Sequence, residues 1–201
     1  MLLTIDAGNT NTVFALMDGD KLVEQWRIST RENRTSDEYL VWINQLMGLH
    51  GHSAASVKGA ILASAVPQVV WPLMRLCEKY FKCTPLVVGQ AGVELGIEVR
   101  LPNPGEVGAD RLVNAVAAQR KYGGPLTVID FGTATTFDVV GADGAYLGGI
   151  ICPGINLSLA ALHQAAAKLP RIAVQAPTST RVTGTSTLEA MQSGIFWGYI
   201  S

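Results

Sequence analysis

Three short stretches of this chain combine a carboxylate with glycine and small polar side chains. Asp6-Ala7-Gly8-Asn9-Thr10-Asn11-Thr12 stands near the start, Asp130-Phe131-Gly132-Thr133-Ala134-Thr135-Thr136 in the second half, and Gly108-Ala109-Asp110-Arg111 between them. In the first, Gly8 lets backbone approach a ligand, and its amide, with the Asn and Thr groups, can cradle a phosphate. Asp6 can hold Mg²⁺, which prefers oxygen ligands and keeps several waters. The competing reading is an ordinary hairpin turn, where Asp, Gly and Asn also belong. The second copy shifts that balance. Charge spreads over several oxygens when a phosphoryl group is transferred, so a triphosphate needs donors from two sides. Two such loops facing each other across a cleft would supply them, with Thr133 as a donor and Asp130 as a cation ligand.

Gly108 to Arg111 is expected to open a helix, whose first turn has free N–H groups and favours anions. Asp110 there is either a cap or a base that takes a hydroxyl proton as a γ-phosphate arrives. Arg111 is either a solvated ion-pair partner or a two-pronged holder of a substrate carboxylate. Gly148-Gly149-Ile150-Ile151-Cys152-Pro153-Gly154 ends a strand and opens a helix, its glycines serving close packing or a ligand. Thr187, after Thr183-Gly184-Thr185-Ser186, either caps the last helix or faces a substrate. His163 reads as a packed residue on an apolar helix.

These residues need elements to carry them. Each DxG stretch follows an apolar strand (Leu2 to Ile5, Leu126 to Ile129) and leads to a second strand (Val13 to Met17, Phe137 to Val140), a turn and a third strand. The repetition predicts an α/β protein with two related halves, 1–122 and 123–201. Between the copies, Thr35 and Glu38 form a capping box ahead of Tyr39, Leu40, Ile43, Leu46 and Met47 at helical spacing. Gly59 to Val66 reads as a buried strand, Gln68 to Phe81 as a helix with Pro72 tolerated only near its first turn, and Thr84 to Val88 as a strand. Ala109 to Tyr122 reads as a helix closed by Gly123-Gly124-Pro125. In the second half, helices are expected from Ile155 to Lys168 and from Thr187 onward, with a polar loop from Gln175 to Ser186. The last helix is still running at Ile200-Ser201, so the second half is expected to be truncated.

Composition narrows the class. Of 201 residues, 48% are hydrophobic and 15% charged, enough for a sizeable core, and the net charge is -1. That charge offers no electrostatic case for nucleic acid or an anionic membrane. Cys77, Cys83 and Cys152 form no CxxC pair and read as reduced, buried thiols. His50-Gly51-His52 lacks neighbouring ligands and reads as a loop. The start shows no basic-then-apolar leader, and the apolar run Ala60 to Met74 is cut by Pro67 and Pro72, so a cytoplasmic protein without a membrane span is expected.

Taken together, DxGNTN at Asp6 to Asn11, GADR at Gly108 to Arg111, DxGTATTFD at Asp130 to Asp138, GGxIxPG at Gly148 to Gly154, and Thr187 to Gly194 resemble the type III pantothenate kinases of the acetate kinase, sugar kinase, Hsp70 and actin superfamily. The match runs in order over nearly the whole chain. The resemblance implies a duplicated ribonuclease H-like, actin-like ATPase fold and transfer of the ATP γ-phosphate to the primary hydroxyl of pantothenate. It implies ATP contacts from Asp6, Ala7, Gly8, Asn9, Thr10, Asn11, Thr12, Val13 and Thr133. Asp110 is the implied proton acceptor, and Gly108, Ala109, Asp110, Arg111 and Thr187 (Thr185 as second choice) the implied pantothenate contacts. Asp130 is the implied ligand of K⁺ or NH₄⁺, and the active form a homodimer. The family often carries a tyrosine in a Y-x-N-P context where this chain has Leu101-Pro102-Asn103-Pro104. Two other functions share such loops: a non-catalytic nucleotide- or metabolite-binding regulator, and a filament or chaperone ATPase that activates water. Neither needs the Asp110-Arg111 pair.

Overall fold

The computed structural model describes residues 1–166, 169–178 and 180–200. Two compact units emerge: Met1–Leu126 together with Val140–Leu147, and Thr127–Val139 together with the residues from Gly148 onward.

The first unit is built on β1 (Leu2–Ala7), β2 (Asn11–Asp18), β3 (Lys21–Ser29), β4 (Gly59–Ser64) and β5 (Leu86–Val87), in the sheet order β3-β2-β1-β4-β5. Strand alternation is clear in β1, where Leu3, Ile5 and Ala7 are buried and Leu2 and Asp6 face out. β1 is central, antiparallel to β2 with Asp6 opposite Val13, and parallel to β4 with Ala7 opposite Ser64. The Asp6 stretch therefore leaves the sheet at the carboxyl end of a parallel pair, where open α/β sheets bind ligands.

Helix α1 (Ser36–Leu49) starts with the expected capping box. The Glu38 amide donates to the Thr35 hydroxyl, and the Thr35 amide donates to the Glu38 carboxylate. Tyr39, Ile43 and Met47 are its buried stripe, with Phe14, Leu62, Leu73 and Leu76 in the same core. Helix α2 spans Pro67–Leu76, and a single π-helical turn continues it over Cys77–Phe81. The expected helix from Gln68 to Phe81 is thus two kinds of helix. Pro72 lies in its interior and not near its start; having no N–H, it removes one rung of the helical ladder. The strand expected over Thr84 to Val88 shrinks to Leu86–Val87, followed by one further bond from the Val88 amide to the Leu62 carbonyl.

Helix α3 (Ala109–Tyr122) has the predicted bounds and packs on β4. Its buried residues Leu112 and Ala115 join Val140 and Tyr146 in a second small core, against which Leu101 packs. Tyr146 is tied to this unit by backbone bonds to Glu98 and Arg100, and the Arg100 guanidinium reaches the Asp143 carboxylate at 2.6 Å.

The second unit carries most of the meander β6 (Leu126–Phe131), β7 (Ala134–Val140) and β8 (Tyr146–Pro153), in that sheet order. Helices α4 (Ile155–Ala165) and α5 (Thr187–Ile200) pack together beside it. The backbone turns extended at Ala166. The expected helix end at Lys168 and the terminal Ser201 lie outside the described residues. No described helix is long and apolar enough to cross a membrane.

Candidate active site

In the first loop, pairing of β1 with β2 ends at Ala7 opposite Thr12, leaving Gly8, Asn9 and Thr10 to turn the chain. The Gly8 amide donates to the Asn11 carbonyl at 3.0 Å. It closes the hairpin and is not offered to a phosphate, a correction to its expected use as a donor. Thr12 is fully buried, and its hydroxyl lies 2.9 Å from that of Thr30. Thr12 thus braces the loop from inside. Asp6, Asn9, Thr10 and Asn11 are exposed. On the opposite flank, the Ala65 amide holds the Ala7 carbonyl at 2.9 Å. Thr30 is a residue that sequence reasoning passes over, because a lone threonine after a strand carries no motif.

In the GADR stretch, Gly108 is the N-cap of α3, so Asp110 is not the cap. Asp110 Oδ1 instead accepts the Arg111 amide at 2.9 Å, folding the carboxylate back over the helix start. A Cβ on residue 108 would stand 2.5 Å from that oxygen, so glycine is what leaves room for this rotamer. Negative Asp110 in the first turn and positive Arg120 and Lys121 in the last match the helix dipole. The Arg111 guanidinium lies 5.9 Å from the ring centroid of buried Tyr146, a cation–π distance.

In the second loop, the Gly132 amide donates to the Ala134 carbonyl at 2.9 Å, again closing the turn. Asp130 and Thr133 are exposed. The Thr133 carbonyl accepts the Gly154 amide at 2.9 Å, so the end of the GGxIxPG stretch buttresses this loop. Thr135 is buried and its hydroxyl bonds that of Tyr199 on α5. Buried Asp138 accepts the Thr136 hydroxyl at 3.2 Å.

At the start of α5, Ser186 and not Thr187 accepts the Glu189 amide, at 3.2 Å, so the expected cap moves by one residue. Thr185 donates through both its hydroxyl (2.7 Å) and its amide (2.8 Å) to the Glu189 carboxylate. These bonds, the hydroxyl foremost, hold the Glu189 carboxyl below its ordinary value. Thr187 is exposed at the first helical position. His163 is half-buried, with Nδ1 2.8 Å from the Leu169 carbonyl, as a packed residue should be.

Among the described residues, no three His, Cys, Asp or Glu side chains gather as a metal cage. Asp6, in the first unit, and Asp130, in the second, are each an exposed carboxylate near a strand end, and carboxylate oxygens are the donors hard cations prefer.

The strand order and the recurring hairpin define a protein of the actin-like ATPase, ribonuclease H-like α/β fold. Similar solved folds include a candidate 2-dehydro-3-deoxygalactonokinase from Sinorhizobium meliloti, with TM-score 0.57, 13% identity, and 98% of this chain and 78% of that one covered. Another is a protein described as a Baf family transcriptional activator from Campylobacter jejuni, with TM-score 0.55, 17% identity, and 98% and 75% covered. At those identities the likeness is one of fold alone.

Sequence relationships are more specific. The family model for type III pantothenate kinase matches residues 2–201. The chain is 62% identical over 200 residues to the type III pantothenate kinase of Paramagnetospirillum magneticum, covering 100% of this chain and 76% of the relative. It is 57% identical over 201 residues to that of Caulobacter vibrioides, covering 100% and 77%. The chain belongs to the type III pantothenate kinase family.

Proposed function

We propose that this protein transfers the γ-phosphate of ATP to the primary hydroxyl of pantothenate, giving 4'-phosphopantothenate and ADP, the first step towards coenzyme A. The observation that carries the reading is full-chain membership of the type III pantothenate kinase family together with retention of both DxG hairpins and the GADR helix start.

The residues take separate roles. Asp6 to Val13 and Thr133 bind ATP, with Asn9, Thr10, Asn11 and Thr133 as exposed contacts, while buried Thr12 acts from behind. Gly108, Ala109, Arg111 and Thr187 position pantothenate, Arg111 taking its carboxylate through paired N–H groups. Between the two candidate hydroxyls, Thr187 is preferred because that of Thr185 already donates to Glu189. Asp110 accepts the proton of the attacking hydroxyl. That oxygen forms its bond to the γ-phosphorus as the bond to the bridging oxygen breaks and ADP leaves. Asp6 would hold Mg²⁺ and Asp130 a monovalent cation, K⁺ or NH₄⁺, whose chemistry is to offset phosphate charge. At the family's tyrosine position, Leu101 packs into the small core beside α3 and offers no hydroxyl to the substrate.

The proposal also takes residues 1–122 and 123–201 as the two functional halves, the active form as a homodimer, and its location as cytoplasmic. It involves neither nucleic acid nor membrane. The test is ADP release with and without pantothenate, with phosphorus NMR of the product. ADP formed only with pantothenate, together with a phosphate monoester on it, is the expected result. ADP formation indifferent to pantothenate would point to a water-activating ATPase, and nucleotide binding without turnover to a regulator.

A further inference from the structure

We infer that Thr30 is a positioning residue for the first phosphate loop: it fixes the Gly8–Asn9 peptide plane and so aims the Asn9 N–H at bound nucleotide. The inference rests on the proposal that Asp6 to Val13 bind ATP.

Thr30 follows β3 directly and engages three residues of the loop. Its hydroxyl donates to the Gly8 carbonyl at 2.7 Å. Its amide donates to the Thr10 carbonyl at 2.9 Å. With its own proton given to Gly8, its oxygen accepts from the buried Thr12 hydroxyl, 2.9 Å away. The chain Thr12 to Thr30 to Gly8 is a relay in which each bond polarises the next. The segment leading to Thr30 is held in turn by Arg34, whose Nη1 donates to the Ser29 carbonyl at 2.8 Å.

The consequence follows from peptide geometry. A trans peptide is planar, with its C=O and N–H on opposite sides, and among the described residues the cis bond is Gly124–Pro125. Pinning the Gly8 carbonyl against Thr30 therefore turns the Asn9 N–H to the opposite side of the loop. Glycine at position 8 would otherwise let that plane rotate freely. With the Gly8 amide closing the hairpin, the Asn9 amide is the first backbone donor of the loop available for a phosphate oxygen. Thr30 does not touch the ligand; it acts through this peptide.

The test is calorimetric binding of ATP without pantothenate, with amide exchange of the loop followed by NMR. In the full chain, Thr30→Val removes the hydroxyl at constant shape and Thr30→Ser retains it. Asn9→Ala/Asn11→Ala alters the exposed loop itself. Thr30→Val is expected to raise the dissociation constant roughly three- to tenfold, the scale of one lost hydrogen bond. It should also speed exchange at Asn9. Thr30→Ser should stay within about twofold of the parent. If Thr30→Val fails to fold because Thr12 is left unsatisfied, Thr12→Val/Thr30→Val removes both partners and takes its place. Unchanged binding in Thr30→Val while the Asn9/Asn11 variant weakens overturns the role of Thr30. So does a Thr30→Ser variant as weak as Thr30→Val. Unchanged binding in all of them overturns the role of Thr30 and leaves the Asn9 and Asn11 side chains out of nucleotide binding.

Discussion

The amide of Gly154 donates to the carbonyl of Thr133 at 2.9 Å. Two stretches that look like separate motifs are therefore one structure: the turn that opens α4 is the backing of the second DxG loop. The approach is close enough that a Cβ on residue 154 would lie 2.4 Å from both the Gly132 and Thr133 carbonyl oxygens. Of the two reasons for glycine in GGxIxPG, close packing is sufficient for Gly154.

Gly154→Ala is therefore expected to push the Gly132-Thr133 backbone away. The change should destabilise the protein by about 1–3 kcal/mol, the usual cost of overpacking. ATP affinity should fall with it. Denaturant unfolding and calorimetry check the two effects; a variant as stable and as tight-binding as the parent would contradict the contact.

Asp110→Asn keeps the shape at the start of α3 and removes the proposed proton acceptor. Turnover should drop on the order of 10²–10⁴-fold with ATP affinity nearly unchanged. Gly108→Ala should act on the same group from behind, since the added methyl collides with Asp110 Oδ1. A smaller loss of kcat is expected there, with α3 intact by circular dichroism. Full turnover in Asp110→Asn would remove this carboxylate from the mechanism.

If Asp130 holds a monovalent cation, activity in K⁺ or NH₄⁺ should exceed that in Na⁺ alone, and Asp130→Asn should abolish the difference. Equal rates across the three salts in the parent protein would count against the assignment.

Burial, reinforced by Cys83 and Glu78, pushes the Cys77 thiol from an ordinary 9.0 up to about 12. A folded-state pKa raised above the unfolded one contributes stability in full below the unfolded value. That contribution is lost as pH rises from 9.0 towards 12, because the unfolded chain releases the proton first. Denaturant unfolding should therefore show alkaline destabilisation across that window, reduced in Cys77→Ala. Native Cys77 should resist alkylation at about pH 8 and react once unfolded. Rapid native alkylation would contradict the burial.

Much of the scaffold was legible in the chain itself. The paired hairpins, the capping box of Thr35 and Glu38, and the limits of α3 rest on contacts spanning a few residues, and local spacing encodes those. Tertiary structure decided which groups in those loops are already committed. The Gly8 amide closes its own turn, and the Thr12 hydroxyl points inward to Thr30. Thr30 reaches Gly8 from 22 positions away, and Gly154 supports Thr133 across a whole hairpin. Tyr146 joins the first unit through Glu98 and Arg100. Each of these is a hydrogen bond between residues brought together by sheet pairing and core packing. Periodicity and composition are blind to such bonds, because the donor's partner is set by the path of the chain in space and not by its neighbours in sequence.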